Sequence, residues 1–231
     1  MKEYTNPPLL YVKSELWWHL RTKEEADKCT LLSGILHPQL SKLLPKITSL
    51  NNKQFNGISY LNEKEHLIAQ VNKSESSLVS IDENYSWDSF KEYVFEINEL
   101  VTNNLNDLIA PDHIHCQLEY LNFFEFDYSR YDVTEFLQDY LKIKISNKLV
   151  RNTKRFKLTM SDKFDDGSLE LNYMLGENST GKNGVVVKFT YDSIKLSPKS
   201  DIINDWFESS HAICKSSFKS LIEGKLEDQI L

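Results

Sequence analysis

From Leu9 to Leu20 apolar and polar residues alternate, with Leu10, Val12, Leu16, Trp18 and Leu20 on one parity and Lys13, Glu15 and His19 on the other. A period of two sends successive side chains to opposite faces, so this segment is a half-buried strand. Its polar parity also carries Tyr11 and Trp17, large rings that are costly to leave wet as a contiguous patch and that need cover from a loop or a partner. The period then lengthens. Leu36, Leu40, Leu43, Leu44 and Ile47 recur at helical spacing and predict a helix of about three turns, with Pro38 admissible only in its first turn, where the missing N–H costs nothing.

Between Phe55 and Ile81 the pattern becomes short alternating runs: Ile58 and Tyr60, then Leu67, Ala69 and Val71, then residues 78–81. Asn62-Glu63-Lys64-Glu65 and Asn72-Lys73-Ser74-Glu75-Ser76 separate them as polar hairpin loops, so the stretch predicts an antiparallel meander. A helix over 87–109 follows. Trp87, Phe90, Val94, Ile97, Val101 and Leu108 make one apolar stripe, Ser86 occupies the N-cap position, Asp88 complements the dipole in the first turn, and Pro111 punctuates the end.

The cleanest alternation in the chain covers 114–128. Ile114, Cys116, Leu118, Tyr120, Phe124, Phe126 and Tyr128 share one parity, and His115, Gln117, Glu119, Glu125 and Asp127 the other. Asn122 falls among the apolar set, where a buried amide must be hydrogen-bonded, so it is either a bulge-forming structural residue or a ligand-binding one. Asp132-Val133-Thr134-Glu135 resembles a capping box and opens a short helix with Phe136, Leu137, Tyr140 and Leu141 inward. Strands are expected at 156–160 and 169–175, joined by a turn at Asp166-Gly167, and again at 185–191 after the loop 176–184. A last helix spans 201–222, with Ile203, Trp206, Phe207, Ser210, Ile213, Cys214, Ser217, Phe218 and Leu221 on one face.

The second half therefore repeats the element order of the first: strand, short helix, run of strands, long helix. The expected fold is α+β and pseudo-duplicated, one or two antiparallel sheets with the long helices packed on one face. Two lobes, 1–111 and 112–231, share a sheet or a helical interface in one compact unit, because no linker separates them. Trp87, Phe90, Leu118, Tyr120, Trp206, Phe207 and Phe218 are the expected core.

Composition narrows the partners more than the chemistry. The 231-residue chain is long enough for one large or two small cores, and a formal net charge of -7 repels phosphate backbones and anionic membrane surfaces. A basic stretch at 142–157, with Lys144, Lys148, Arg151, Lys154 and Arg155, is the one place where a local patch could oppose that field. Cys29, Cys116 and Cys214 fit neither a zinc motif nor a disulfide framework, and no apolar leader or membrane-length run is present, which together imply reduced thiols and a cytoplasmic location without membrane attachment. Many lysines, asparagines and isoleucines beside few arginines suggest an AT-rich prokaryotic genome.

No catalytic constellation is legible. His113 and His115 share a face at the entry of the 114–128 strand, but no further metal ligands can be named. Asp162, Asp165 and Asp166 lack a calcium-loop spacing, and Gly181-Lys182-Asn183-Gly184 lacks the Walker spacing and precedes a strand. No metal site and no cofactor is assigned.

Asn6-Pro7-Pro8-Leu9, Leu118-Glu119-Tyr120-Leu121-Asn122, and His211 with Phe218 seven residues later occur in an order and spacing that resemble a sporadically distributed prokaryotic family. Its members carry an N-terminal Pro-Pro-Leu strand, a central Leu-Arg-Tyr-Ile-Asn type strand and a C-terminal His/Phe helix. The resemblance spans nearly the full length, including a Trp-led middle helix at Trp87. It implies an uncharacterised family often met near mobile and antiviral defence genes, with no established activity. The family tends to have Glu where this chain has Tyr11, and Arg where it has Glu119, so a ligand role built on that pair does not carry over.

The leading functional expectation is a non-enzymatic interaction or regulatory subunit, with Tyr11, Trp17, Glu119 and His211 receiving a protein partner. A small-molecule sensor with a ligand between the lobes, touching Asn122, is the alternative, and a hydrolase with scattered carboxylates or histidines is the third.

Overall fold

The computed structural model describes residues 8–52, 55–82, 84–130, 132–144 and 156–223. The first half contains β1 (Leu9–Trp18), α1 (Lys23–Cys29), α2 (Leu32–Leu43), β2 (Lys46–Asn52), β3 (Phe55–Asn62), β4 (Leu67–Asn72), β5 (Glu75–Ser80) and α3 (Trp87–Leu108). The second contains β6 (Ile114–Glu125), α4 (Val133–Asp139), β7 (Lys157–Phe164), β8 (Gly167–Glu177), β9 (Asn183–Ser193) and α5 (Ser200–Ile222). Among the described residues, nine strands form one antiparallel sheet in the order β2-β3-β4-β5-β1-β6-β9-β8-β7.

The sheet is built outward from a seam between β1 and β6, which pair antiparallel with Lys13 opposite Glu119 and Ser14 opposite Leu118. On each side the meander returns to lie beside its own first strand, β5 against β1 and β9 against β6. The expectation of one or two sheets therefore resolves to one continuous sheet. Among the described residues β2 has no counterpart in the second half.

Period two decides which face is covered. Val12, Leu16 and Trp18 of β1 align with Leu78 of β5 and with Ile114, Cys116 and Leu118 of β6, and all are buried. The helices lie on this side: α2 touches β3 and β4, α3 touches β5 and α2, and α5 touches β6, β9 and α3. Tyr60 reaches the carbonyl of Ser33 in α2, and Tyr191 packs on Trp206 of α5, so outer strands use the same face. Of the expected core, Trp87, Phe90, Leu118, Trp206 and Phe207 are buried. Tyr120 and Phe218 are only partly buried, Phe218 meeting Phe189 edge-on at 6.1 Å in the last turns of α5.

Several boundaries differ from the sequence pattern for identifiable reasons. Helix α2 begins at Leu32, so Pro38 sits inside it rather than in its first turn. Leu32, Leu36, Leu40 and the capping residue Leu44 are all fully buried, and this packing outweighs the bond that Pro38 cannot donate to the turn before it. Pro45 ends the helical run, which moves Ile47 into β2, where it is largely exposed. Ser86 is the N-cap of α3 in an extended backbone but makes no side-chain capping bond. Asp132 does cap α4, accepting from the Thr134 amide at 2.8 Å. Strand β6 stops at Glu125, and β7 runs four residues beyond the expected end at 160, to Phe164. The hairpin turn is Asp165-Asp166, with Gly167 already in β8. Pro7 and residues 145–155 of the basic stretch 142–157 lie outside the described residues.

Candidate functional site

Three of the four expected partner-binding residues share the side of the sheet away from the helices, Tyr11 touching Glu119 and Trp17 lying six residues further along β1. Tyr11, Lys13, Glu15 and Trp17 project there from β1, opposite Leu121, Glu119, Gln117 and His115 of β6 in register. Strand β9 continues the rows with Lys188, Thr190 and Asp192, and β8 with Asn172, Glu170 and Ser168. On the other flank Ser77 of β5 faces Glu15 and Glu75 faces Trp17. Among the described residues no helix is seen over this face, yet Glu119 is 8% exposed and Ser77 3%.

The face is knit by charge and hydrogen bonds. The Tyr11 hydroxyl donates to Glu119, whose second oxygen pairs with Lys188 Nζ at 2.9 Å. Burial first, and then the Glu119 carboxylate, raise the Tyr11 phenol and keep it a donor. Lys13 pairs with Glu15 at 2.7 Å. Glu15 is nevertheless pushed up to about 7, by burial foremost and then by sharing a hydrogen bond with the Glu75 carboxylate, which Lys13 only partly offsets. Gln117 donates to Asp192 at 2.7 Å, and Asn172 to Glu170 at 2.6 Å. Trp17 stacks on His115 with ring centroids 5.7 Å apart and planes 9° apart, and His113 meets His115 edge-on at 5.3 Å. That imidazole is held below its usual value by burial and by the neighbouring His113 and Lys195. Glu15, Glu75, Glu119, Glu170 and Asp192 share this face with Lys13 and Lys188, and β7 adds Lys157 and Lys163 opposite Met174 and Ser168.

His211 lies elsewhere, between the sheet and its helices. Its Nδ1 and the Tyr120 hydroxyl are 2.7 Å apart, and the Tyr85 hydroxyl is 3.2 Å from that of Tyr120. Its ring lies flat on Trp87, centroids 4.2 Å and planes 3° apart. Trp87 Nε1 donates to Glu208 at 2.9 Å, and Lys91 to the same carboxylate at 3.0 Å. Burial, with Lys215 nearby, brings His211 down to about 4, so it is neutral at pH 7. This chain of rings and hydroxyls ties α3 and β6 to α5 across the two halves. Asn122 is on the covered parity and buried, its amide reaching the Val187 carbonyl at 3.4 Å. It stands opposite a register shift between Leu9 and Tyr11, so its setting is that of a residue at a bulge.

Sequence reasoning found Tyr11, Trp17 and Glu119 by parity but missed Lys188, Thr190, Glu170 and Glu75. Lys188 and Thr190 sit on the polar parity of the 185–191 pattern; their pairing with Glu119 depends on a register between strands about 70 residues apart, which no local period contains.

Among the described residues no three His, Cys, Asp or Glu side chains come together to hold a metal ion. The three cysteines are free and buried. A shallow depression of about 380 Å³ lies between α1 and the end of α3, lined by Thr22, Glu25, Lys28, Asn106 and Ile109, within the first half rather than between the halves. No described helix is long and apolar enough to cross a membrane. No family model matches the chain, and no curated protein is detectably similar to it.

Proposed function

We propose that the chain is a non-enzymatic interaction or regulatory subunit that receives a protein partner on the uncovered face of its sheet. The observation that carries this reading is the β1–β6 seam of that face, where Tyr11 with Glu119 at one end and Trp17 with His115 at the other flank partly buried charges, with no helix over them among the described residues. Aromatic anchors within a polar rim are the usual anatomy of a protein interface. His211 drops out of the contact set on this reading, since its hydrogen bond and stacking partners are internal. A cytoplasmic prokaryotic setting near mobile and defence genes is part of the proposal and rests on composition and on the motif resemblance. So does an origin by internal duplication, which the matching order of elements on the two sides of the seam supports. Positions 11 and 119, where the resembled family tends to have Glu and Arg, touch here as a phenol and a carboxylate.

The test is capture of partners by the tagged chain from its native host, comparing wild type with Trp17→Ala. Losing the stack on His115 costs about 1 kcal/mol, so the variant melts within about 5 °C of wild type for a domain of this size. Partner recovery is expected to fall by at least tenfold, about the 1.4 kcal/mol or more that an aromatic anchor contributes. Turnover of a substrate by the purified chain alone, abolished in His211→Gln, would show the reading to be wrong.

A further inference from the structure

Among the described residues, one buried side-chain polar atom has no hydrogen-bond partner, and it lies on the uncovered face. Thr190 is 6% exposed, and its hydroxyl makes no hydrogen bond. In register it stands between Glu119 on β6 and Glu170 on β8, with Lys188 and Asp192 two residues away on its own strand. These neighbours are partly committed: Glu119 to Tyr11 and Lys188, Glu170 Oε1 to Asn172, and Asp192 Oδ1 to Gln117. The second oxygens of Glu170 and Asp192 keep acceptor capacity, and among the described residues neither carboxylate is in a salt bridge. The row thus has acceptor capacity to spare and a buried hydroxyl that can accept as well, while its one cationic donor, Lys188, is already paired with Glu119.

The donor set does not suit a metal ion, since no three ligating side chains converge among the described residues. It suits a planar cation that offers several N–H groups to acceptors on separate strands, which is what a guanidinium does. Glu170 is exposed and can swing aside from Asn172 to admit it, and the Glu170 and Asp192 carboxylates beside Thr190, neither in a salt bridge among the described residues, draw a cation to this spot. We propose that the uncovered face binds a basic polypeptide segment, one arginine of which seats its guanidinium over Thr190 between Glu119 and Glu170. This rests on the interaction reading above and names the chemistry of the partner.

The probe is a fluorescein-labelled peptide of four Ser-Arg-Gly repeats, with a counterpart in which citrulline replaces arginine, titrated against the full chain by anisotropy at 0.15 M salt. The citrulline peptide is expected to bind at least about tenfold more weakly, and Glu170→Gln and Thr190→Val each to weaken the arginine peptide by about tenfold, the scale of a hydrogen bond to a charged group. Glu24→Gln, the same charge change on exposed α1, should leave binding unaltered. Thr190→Val keeps the side chain's shape and removes an unpaired hydroxyl, so it should melt no lower than wild type and its loss of binding is not a loss of fold. The proposal is overturned if Glu24→Gln weakens binding as much as Glu170→Gln, if Thr190→Val binds like wild type, or if a 16-base-pair DNA duplex binds more tightly than the peptide. A host partner lost from Trp17→Ala but fully retained by Glu170→Gln and Thr190→Val would likewise overturn it while leaving the interaction reading intact.

Discussion

Glu15 and His211, on opposite faces of the sheet, respond to pH in opposite senses. Glu15 stands at about 7 in the folded chain against 4.5 for a free carboxyl, so the native state holds an extra proton between those values. Its stabilising contribution is complete below about 4.5 and is lost as pH rises through 7. His211 is at about 4 against 6.5, so its contribution is present above 6.5 and is lost as pH falls through 4. Melting temperatures measured from pH 4 to pH 8 should show it: Glu15→Gln flattens the decline on the alkaline side, and His211→Gln flattens the loss on the acid side. Unchanged slopes in either variant would mean that its proton is not linked to folding. The parity of β1 made Glu15, Tyr11 and Trp17 legible as one face, but not the Glu75 carboxylate that shifts Glu15, which arrives from another strand. For His211 the helix stripe left open whether its flank met solvent or sheet; the flat contact with Trp87 is a property of two helices packed together.

Elements with long, regular periods emerged close to where the pattern put them, β1, β3, β4, α3, β6 and α5 among them, whereas β5 takes in Glu75 and Ser76, expected in the hairpin loop, and ends at Ser80. Those that escaped are short or lie at an edge. Helix α1 buries only Cys29, so it has no stripe to read, although Thr22 and Glu25 do have capping-box spacing and the Thr22 hydroxyl accepts from the Glu25 amide at 3.1 Å. Strand β2 has a neighbour on one side only, and with Ile47 45% exposed it needs no alternation. Two glycines show how far an element's demands depend on its setting. A Cβ on Gly34, in α2, meets nothing within 4 Å, so Gly34→Ala should stabilise the chain by about 0.5–1 kcal/mol through helix propensity. A Cβ on Gly167 would lie 2.3 Å from the Asp192 carbonyl oxygen, so Gly167→Ala forces the β8-β9 backbones apart and should cost about 2–3 kcal/mol. Urea unfolding of the two variants checks both signs.

For the whole molecule the repeated element order was legible, but the way the halves join was not. β1 and β6 are about 100 residues apart, and nothing local to either strand specifies that they pair. The seam has a further consequence during synthesis. Until β6 leaves the ribosome, the edge of β1 that it will occupy carries a row of unmatched backbone donors and acceptors, a template for any strand of suitable register. A nascent first half is therefore exposed to strand exchange with its neighbours on a polysome. Two copies of residues 1–111 made alone should join antiparallel through β1, each standing in for the other's missing half, and sedimentation at rising concentration should report dimers that added residues 112–231 dissolve into one-to-one complexes.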